Sequence, residues 1–437
     1  MKKIVAIISI LAVCAFANAQ FFVTSPNAYL QINTLSNIDA VFLFNGISSS
    51  TEISYSGSGN KEWREYNGTY ITSSNTTEIL LSPEDGTGYI LYIDGVPSYW
   101  IWTIDYSLYA AALNNLQVAQ VQQNICENLI LAANITAPEL VYYDKNNQRN
   151  TLTRSFSLDY VDYAFVGDNW QDQEVTRDIN FPFTQITVPA PKKNVTFVLS
   201  GDNFAQQMNI QSSISLDYNA VAVESHLKGT INKRDVVRPP DNKPNEMQRE
   251  KPDSTITGSA PLIVDLMSRA NTPVAAYFSW KIYTVDVPSN YLQYFDENLY
   301  KHDFPETKTY SVKLKVSSNG GCTCEDSIQV IGIKSVLWAP SFFSPNGDTL
   351  NDEFLVAYSS IDPKSYKCVI FNRWGNVVFS STDPNKGWDG NIHGKPAAVG
   401  TYYYVITAIG TDVYDKNQKN AGKPKKYSFY GAVNLFR

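Results

Sequence analysis

The sequence predicts an all-β protein built from tandem immunoglobulin-like β-sandwich domains. Short segments alternate apolar and polar residues with a period of two, as in AVFLFNGI (40–47), GYILYIDG (88–95) and TRSFSLDY (153–160). This alternation is typical of strands with one buried face, and the Gly, Asn, Ser and Asp clusters between segments are typical of turns. Because 437 residues exceed what one hydrophobic core supports, several domains are expected.

Residues 1–19 are predicted to be an export signal peptide. A pair of lysines precedes the apolar run Ile4–Val13, and Ala17-Asn18-Ala19 forms a small-residue cleavage site. The run is too short to cross a bilayer, which takes about 20 residues. A lipoprotein signal with Cys14 as the lipidated residue is the alternative, but Val13 before it fits that pattern poorly. No later stretch is long and apolar enough to span a membrane, so no transmembrane segment is expected in the mature chain.

Two β-sandwich domains are predicted next, over residues 20–113 and 114–225. Strand-like segments recur at short spacing through both, for example TEILLS (77–82) in the first and NVTFVLSG (194–201) in the second. The segment Ala110–Asn128 is the best helix candidate of the chain. A linker that runs into a strand at Cys126 is the alternative.

Residues 226–257 are predicted to be a linker or a long exposed loop. The segment is rich in charge and proline and nearly lacks large apolar residues. Such a composition buries too little surface to offset the loss of chain entropy.

Residues 258–334 form a further strand-rich segment. It contains Pro261-Leu262-x-Val264, Trp280 on a strand-like stretch, and the alternation Tyr310-x-Val312-x-Leu314-x-Val316. These features resemble those of the PKD-type domain, which implies another immunoglobulin-like sandwich. An insertion between Val287 and Glu306 departs from the short connection usual in that family.

The last segment, residues 335–437, carries an ordered series of short motifs. They are Pro345-Asn346-Gly347-Asp348, Asn351-Asp352-x-Phe354, Asn372-Arg373-Trp374-Gly375, Trp388-Asp389-Gly390 and Gly400-Thr401-Tyr402-Tyr403-Tyr404. The series resembles the gliding motility-associated C-terminal domain, the type B sorting domain of the type IX secretion system of Bacteroidota. Thr349, where the family usually has glycine, and a lysine-rich insertion over Asp412–Ser428 are departures from it.

The resemblance implies an export route and its partners. The signal peptide would take the chain across the inner membrane, and the outer-membrane translocon with its type B partner protein would then recognise the C-terminal domain. The expected location is the medium or the outer cell surface. The formal net charge of −7 disfavours nucleic acid and anionic membranes as partners, because both require a basic face.

The acidic loop around Asp348 raises the question of a metal site. Asp348, Asn351 and Asp352 are weak candidates for a calcium site, because the acidic ladder of an EF-hand loop is absent. The preferred interpretation is a turn in which the side chains accept backbone N–H groups, so no cofactor is expected.

Four cysteines remain after the predicted cleavage, at positions 126, 322, 324 and 368. One or two disulfides are expected in an oxidising compartment, and the sequence leaves their connectivity open. Cys322 and Cys324 lack the second pair that a zinc ribbon requires, and Cys368 is interpreted as a small buried strand residue.

The sequence argues against an enzyme and leaves the molecular role open. The histidines His226, His302 and His393 lie far apart, and none of the common catalytic motifs occurs. Trp100 and Trp102 share one predicted strand face and are candidates for binding a glycan or a surface protein. The alternative is that this face is buried under a neighbouring domain. We expect a role in adhesion, surface structure or assembly; the alternatives are a carbohydrate-binding surface receptor and an accessory component of the secretion or gliding machinery.

Overall fold

The computed structural model describes residues 21–69, 79–232, 255–348, 350–413 and 424–437. The predicted signal peptide, most of the predicted linker, Thr349 and most of the predicted lysine-rich insertion lie outside the described residues. Nearly all regular structure in the described residues is β-strand. The sheets pair into successive two-sheet units, which confirms the all-β class and the tandem immunoglobulin-like architecture.

The first unit is a sandwich of two sheets. Its strands are β1 (Phe21–Thr24), β2 (Tyr29–Ile32), β3 (Ala40–Phe44), β4 (Glu52–Tyr55), β5 (Lys61–Glu65), β6 (Ile79–Leu81), β7 (Thr87–Ile93) and β8 (Val96–Asp105). One sheet has the order β1-β4-β6 and the other β2-β3-β8-β7-β5. Aromatic and branched side chains fill the space between them, including the fully buried Phe42, Trp63 and Ile101.

The second unit follows a short 3₁₀ helix at Tyr106–Leu108. Its strands are β9 (Ala112–Val118), β10 (Asn128–Thr136), β11 (Leu140–Tyr143), β12 (Arg149–Leu152), β13 (Ser155–Val166), β14 (Asn169–Asn180), β15 (Gln185–Pro189), β16 (Val195–Gly201) and β17 (Ser212–Tyr218), with helix α1 at Asn203–Gln207. The sheets β15-β10-β9 and β14-β13-β16-β17 enclose the core, and β11-β12 forms a separate hairpin.

The helix predicted over Ala110–Asn128 is wrong, because most of its first half is strand β9. This strand pairs antiparallel with β10, with Val118 opposite Leu131. Leu116 is buried in the core of the second unit. Pairing and burial outweigh the weak helical preference of this segment, which is decided by tertiary context.

The third unit is a larger sandwich with a tryptophan at its centre. Its strands are β18 (Ser225–Ile231), β19 (Thr255–Ser259), β20 (Leu262–Ala270), β21 (Ala275–Thr284), β22 (Tyr291–Tyr294), β23 (Asn298–Phe304), β24 (Thr309–Ser318) and β25 (Thr323–Ile333). The sheets are β18-β20-β23 and β19-β25-β24-β21-β22. Trp280 is fully buried and its indole N–H donates to the Asp296 carbonyl over 2.8 Å. The assignment to the PKD family stays a prediction.

The predicted linker begins too early. Residues 226–231 belong to strand β18, which pairs antiparallel with β20 from Ser225 opposite Ala270 to Ile231 opposite Val264. This stretch is polar in sequence, but its buried Leu227 joins the core of the third unit. The structure therefore assigns these residues to a sheet.

The fourth unit is a smaller sandwich. Its strands are β26 (Val336–Trp338), β27 (Phe342–Phe343), β28 (Ala357–Ser359), β29 (Lys367–Phe371), β30 (Val377–Ser381), β31 (Asn391–Ile392), β32 (Lys395–Pro396), β33 (Gly400–Val413) and β34 (Pro424–Leu435), with a 3₁₀ helix at Pro363–Ser365. The main sheet has the order β27-β34-β33-β29-β30. Phe343, Phe354, Cys368 and Trp388 are buried in its core.

The first and second units share an apolar core. Trp102 and Ile104 on one face of β8 lie in the same buried cluster as Leu140 and Tyr142 of β11 and Phe204 of helix α1. The outer side of the β8 sheet, opposite the core of the first sandwich, is therefore covered by the second unit. This contact fixes the two units against each other.

A disulfide and a buried amide hold the second unit to the third. Cys126 is bonded to Cys322. The Asn271 side chain is fully buried, and its Nδ2 donates to the carbonyls of Lys192 (2.7 Å) and Ala222 (2.9 Å). The described residues contain no helix long and apolar enough to span a membrane.

Candidate functional site

The loop that carries the acidic motif is a turn in which side chains accept backbone N–H groups. Asp352 Oδ1 accepts from Gly347 N at 2.8 Å, and Asp348 Oδ1 accepts from Leu350 N at 2.7 Å. Asn346 accepts from Asp348 N at 3.1 Å and donates to Asp348 Oδ2 at 2.8 Å. Gly347 has φ of +80°, which glycine adopts without strain. Both carboxylates are thus engaged by their own loop.

The remaining residues of this loop close it onto the sandwich. The Asn351 carbonyl accepts from Ser344 N at 2.8 Å, and Asn351 itself has φ of +52°. The Pro345 ring lies so close to Gly390 that an added Cβ there would be 3.0 Å from Pro345 Cγ. Among the described residues, no group of three or more His, Cys, Asp and Glu side chains has a geometry that would hold a metal ion. The geometry supports the turn interpretation of Asp348 and Asp352. The Asn351 side chain does not fit it, since its Oδ1 is buried without a hydrogen-bond partner.

The Trp388-Asp389-Gly390 motif also has a structural role. Trp388 is buried, its indole N–H donates to the Asn391 carbonyl at 2.8 Å, and its ring packs against Tyr402 with centroids 4.8 Å apart. Asp389 accepts from the side chain and the backbone N–H of Asn391 at 2.8 and 2.9 Å. The Asn391 side-chain hydrogen bond lowers the pKa of Asp389 below its usual value. These contacts fix the turn that leads into β31.

The Asn372-Arg373-Trp374-Gly375 motif forms the turn of the β29–β30 hairpin. Asn372 Oδ1 accepts from the backbone N–H groups of Trp374 and Asn376, both at 3.0 Å, and Gly375 has φ of +81°. The Arg373 guanidinium lies 4.2 Å from the centre of the Trp374 ring. Trp374 is 70% exposed, so this motif presents an aromatic side chain to solvent.

The Gly400-to-Tyr404 motif starts strand β33 and alternates between the two sides of the sheet. Tyr402 points into the core, where its hydroxyl donates to the Ala398 carbonyl at 2.8 Å. Tyr404 packs against Phe354 with ring centroids 5.2 Å apart. Tyr403 between them is 50% exposed, as the period of a strand requires.

Tyr403 is part of an exposed apolar surface on the main sheet of the fourth unit, which we call the outer apolar face. It consists of Val369, Phe371, Val377, Tyr403, Val405 and Tyr430. Directly paired residues share one side of a sheet, and the register pairs Phe371 with both Val377 and Tyr403, and Val405 with both Val369 and Tyr430. Tyr430 is 82% exposed. Val369 and Phe371 are half-buried, and the other four side chains are exposed.

The sequence motifs contain Tyr403 of the outer apolar face and the neighbouring Trp374, but not Val377, Val405 or Tyr430. The alternation in the strand TYYYVIT and in the strand around Tyr430 was the available signal. Alternation shows that a strand has two different faces, but it does not show which face is exposed. The exposed face is identified only when the structure shows which face lies in the core.

The candidate pair Trp100 and Trp102 faces the second unit. Both side chains pack against the cluster shared by the two units, while Tyr99 and Ile101 face the core of the first sandwich. Trp102 is 8% exposed and lies 5.3 Å from the Tyr143 ring of the second unit. The second unit covers Trp102, as the alternative interpretation of this strand face expects. Binding of a glycan or a surface protein by Trp100 stays a prediction.

Two family models match parts of the chain. Residues 337–424 match the CHU_C type IX secretion signal domain, and residues 118–216 match a fibronectin type III domain, Fn3_FA. The match places a type IX secretion signal domain in the C-terminal part of the chain, which confirms the resemblance drawn from the motifs. The fibronectin type III match falls on the second unit. No curated protein matches the chain.

Several solved structures are similar to the chain at low identity. A tetra-tandem repeat from the extending region of a large adhesion protein is 11% identical, with 90% of this chain and 98% of that chain covered and a TM-score of 0.20. Dimeric latent PorU from Porphyromonas gingivalis is 9% identical, with 78% and 35% covered and a TM-score of 0.16. The FN1–FN3 domains of chicken CNTN1 are 9% identical, with 73% and 96% covered and a TM-score of 0.25. At TM-scores this low, the similarities carry no conclusion about function.

Proposed function

We propose that this chain is a non-enzymatic surface protein, without a cofactor, that the type IX system exports. In this account the predicted signal peptide directs passage across the inner membrane. The fourth unit is the part recognised at the outer membrane by the translocon and its type B partner protein. The first three units are the exported cargo. They act in adhesion or surface assembly, either on the outer cell surface or in the medium.

The outer apolar face of the fourth unit is the surface proposed for recognition. Most of the quoted motif residues fix turns or fill the core, so they shape the domain but offer little to a partner. The outer apolar face and the neighbouring Trp374 instead present apolar side chains to solvent. Aromatic side chains of this kind are enriched where binding energy concentrates in protein interfaces.

The way the first three units are joined supports a mechanical role for them. A shared apolar core joins the first pair, and the Cys126–Cys322 disulfide and the buried Asn271 join the second pair. Domains linked by large apolar contacts or covalent bonds do not swing freely. Units that are held rigidly together suit a protein that must project or connect at a surface.

Secretion of a surface variant tests the recognition proposal. A variant with Tyr403→Ser, Val405→Ser and Tyr430→Ser removes apolar side chains from the outer apolar face. We expect it to accumulate in the periplasm while the wild-type chain reaches the surface or the medium. Tyr277→Ser with Phe295→Ser, two exposed aromatics of the third unit, is the matched control and should be exported normally.

The outcome is interpretable only for a folded domain. Thermal unfolding of the purified variants checks this, and Tyr430→Ser alone is a milder second variant because that side chain is almost fully exposed. Normal export of the folded triple variant would contradict the proposed surface.

A further inference from the structure

The five-stranded sheet of the third unit carries three exposed lysines, Lys281 on β21 and Lys313 and Lys315 on β24. The residues that flank them along these strands are buried in the core of the unit: Trp280, Ile282, Val312, Leu314 and Val316. Successive side chains of a strand point to opposite faces of the sheet. The three lysines therefore lie together on the outer side of the sheet, and we call this surface the lysine face.

The lysine face is positive in a chain whose formal net charge is −7. The strands of this sheet contain two acidic residues, Glu325 and Asp326, both on β25. Glu325 lies opposite Lys315, with a carboxylate oxygen 3.7 Å from its ammonium group. Asp326 lies opposite Leu314 and accepts from Leu227 N of the other sheet at 2.7 Å. Three positive charges on the outer side thus face one negative charge.

Two of these lysines are placed unfavourably with respect to each other. Lys281 lies directly opposite Lys313 in the antiparallel pairing of β21 with β24. Like charges directly opposite each other destabilise a sheet. Neither ammonium group forms an ion pair with a carboxylate in the part of the chain that the structure describes. An anionic group held between the two lysines would relieve this repulsion.

Two tyrosines border the lysines on the same side of the sheet. Tyr283 and Tyr291 are directly opposite each other in the pairing of β21 with β22. The Lys281 ammonium group lies 5.0 Å from the centre of the Tyr291 ring, and Tyr291 is 46% exposed. Hydrogen bonds from the Ser311 hydroxyl and from Lys313 lower the pKa of Tyr283. The face thus combines positive charge with aromatic surface on which a sugar ring can pack.

We propose that the lysine face binds an anionic polysaccharide, a polymer of sugar residues that carry carboxylates at regular intervals. Neighbouring strands are about 4.8 Å apart, so one carboxylate can contact both Lys281 and Lys313. Lys315 lies two residues further along β24, a distance of about 7 Å, and is placed for a second carboxylate of the same polymer. The exposed ring of Tyr291 packs on a neighbouring sugar residue.

The charge of the chain favours a polysaccharide over a nucleic acid. Duplex DNA carries one negative charge per about 1.7 Å of its axis, and the acidic remainder of this chain repels so dense a charge. A polymer with one carboxylate per sugar is less densely charged. It needs only the few cations of the lysine face, which act within a Debye length of about 8–10 Å.

This inference goes beyond the export and assembly role, and its test uses purified protein, so it does not depend on export. The full chain is titrated with alginate oligomers, which are chains of uronic acids, and calorimetry reports binding. Lys281→Gln with Lys313→Gln should weaken binding by roughly tenfold. Lys281→Arg with Lys313→Arg keeps both charges and should bind nearly as the wild type does. Raising the salt to about 0.5 M should weaken wild-type binding strongly, because salt screens exposed charges.

The matched control is Lys364→Gln with Lys395→Gln, which removes two exposed lysines of the fourth unit and should leave binding unchanged. Thermal unfolding checks the fold of each variant. The glutamine variant of the lysine face should melt at the same temperature as the wild type or higher, since a like-charge contact is removed. Neutral dextran and single-stranded oligothymidine should not bind. Absence of alginate binding, an equal loss in the control variant, equal binding of dextran, or tighter binding of oligothymidine would each overturn the proposal.

Discussion

Arg154 and Asp202 form an ion pair from which solvent is almost completely excluded. The guanidinium Nη1 lies 2.7 Å from Asp202 Oδ2, and the two side chains are 3% and 0% exposed. Arg154 Nη2 also donates to the Tyr109 carbonyl at 2.6 Å, and the Tyr106 hydroxyl donates to Asp202 Oδ1 at 3.1 Å. Tyr106 and Tyr109 follow the last strand of the first unit, so the pair ties the second unit to the end of the first.

Removing Arg154 should strongly destabilise this joint. Arg154→Met leaves the Asp202 carboxylate buried without its cation, and breaking such a pair costs about 3–5 kcal/mol. Urea unfolding, monitored by tryptophan fluorescence, measures this effect. The variant should show a lower free energy of unfolding in the transition of the first two units.

The matched control for this prediction is Arg149→Met. Arg149 pairs with Glu139 at the surface, where both side chains are more than half exposed. Exposed pairs contribute about 0–1 kcal/mol, so this variant should unfold nearly as the wild type does. Equal, small effects of both substitutions would contradict the structural role given to the buried pair.

The disulfide should stabilise the second and third units together. Cys126 and Cys322 are 196 residues apart in sequence, and closing a long loop restricts the unfolded chain. Cys126→Ala with Cys322→Ala should lower the free energy of unfolding by about 2–5 kcal/mol. Added reductant should act on the wild type and leave the double variant unchanged. This prediction would be refuted if the wild-type denaturation curve stayed the same after the disulfide had been shown to be reduced.

Cys368 should make the fourth unit sensitive to alkaline pH. Burial raises the pKa of this thiol to about 11 from its ordinary value of 9.0. Above the unfolded pKa the unfolded chain releases the proton and the folded chain keeps it, so stability is full below about pH 9 and falls as the pH rises toward 11.

The contribution of this thiol is measured against Cys368→Ser. Between about pH 8 and about pH 11 the wild type should lose roughly 2–3 kcal/mol more than the variant. If the free energy of unfolding changed with pH in the same way for the wild type and for Cys368→Ser, the raised pKa would be contradicted. Alkylation followed by intact-mass measurement should also modify Cys368 only after denaturation.

Calcium should have no effect on the acidic loop of the fourth unit. Asp348→Ala removes the acceptor for Leu350 N and should cost about 1 kcal/mol. Asp348→Asn keeps an amide oxygen in the same place and should cost less. For the wild type and for each of the two variants, the melting temperature in calcium should equal the melting temperature in a chelator. A calcium-dependent rise in the melting temperature that both substitutions remove would instead establish a metal site.

The sequence predicted the fold class and the sorting domain because both leave local signals. Period-two alternation reports strands directly, and the motifs around Trp388 and Asn372 are turns whose residue types are fixed by backbone geometry. Strands β9 and β18 were missed because their pairing partners, β10 and β20, decide their structure. The pairing of Cys126 with Cys322 depends on how separate units dock, which no local pattern reports. The covering of Trp102 was among the alternatives, because both faces of its strand are apolar.

The most direct test of the account is the cellular location of a chain that ends at Lys334, compared with the full-length chain. Removing the fourth unit leaves the first three units with all the contacts described between them. We predict that the full-length chain reaches the outer surface or the medium and that the truncated chain stays in the periplasm in folded form. Display of the truncated chain at the surface would contradict the assignment of the fourth unit as the sorting domain.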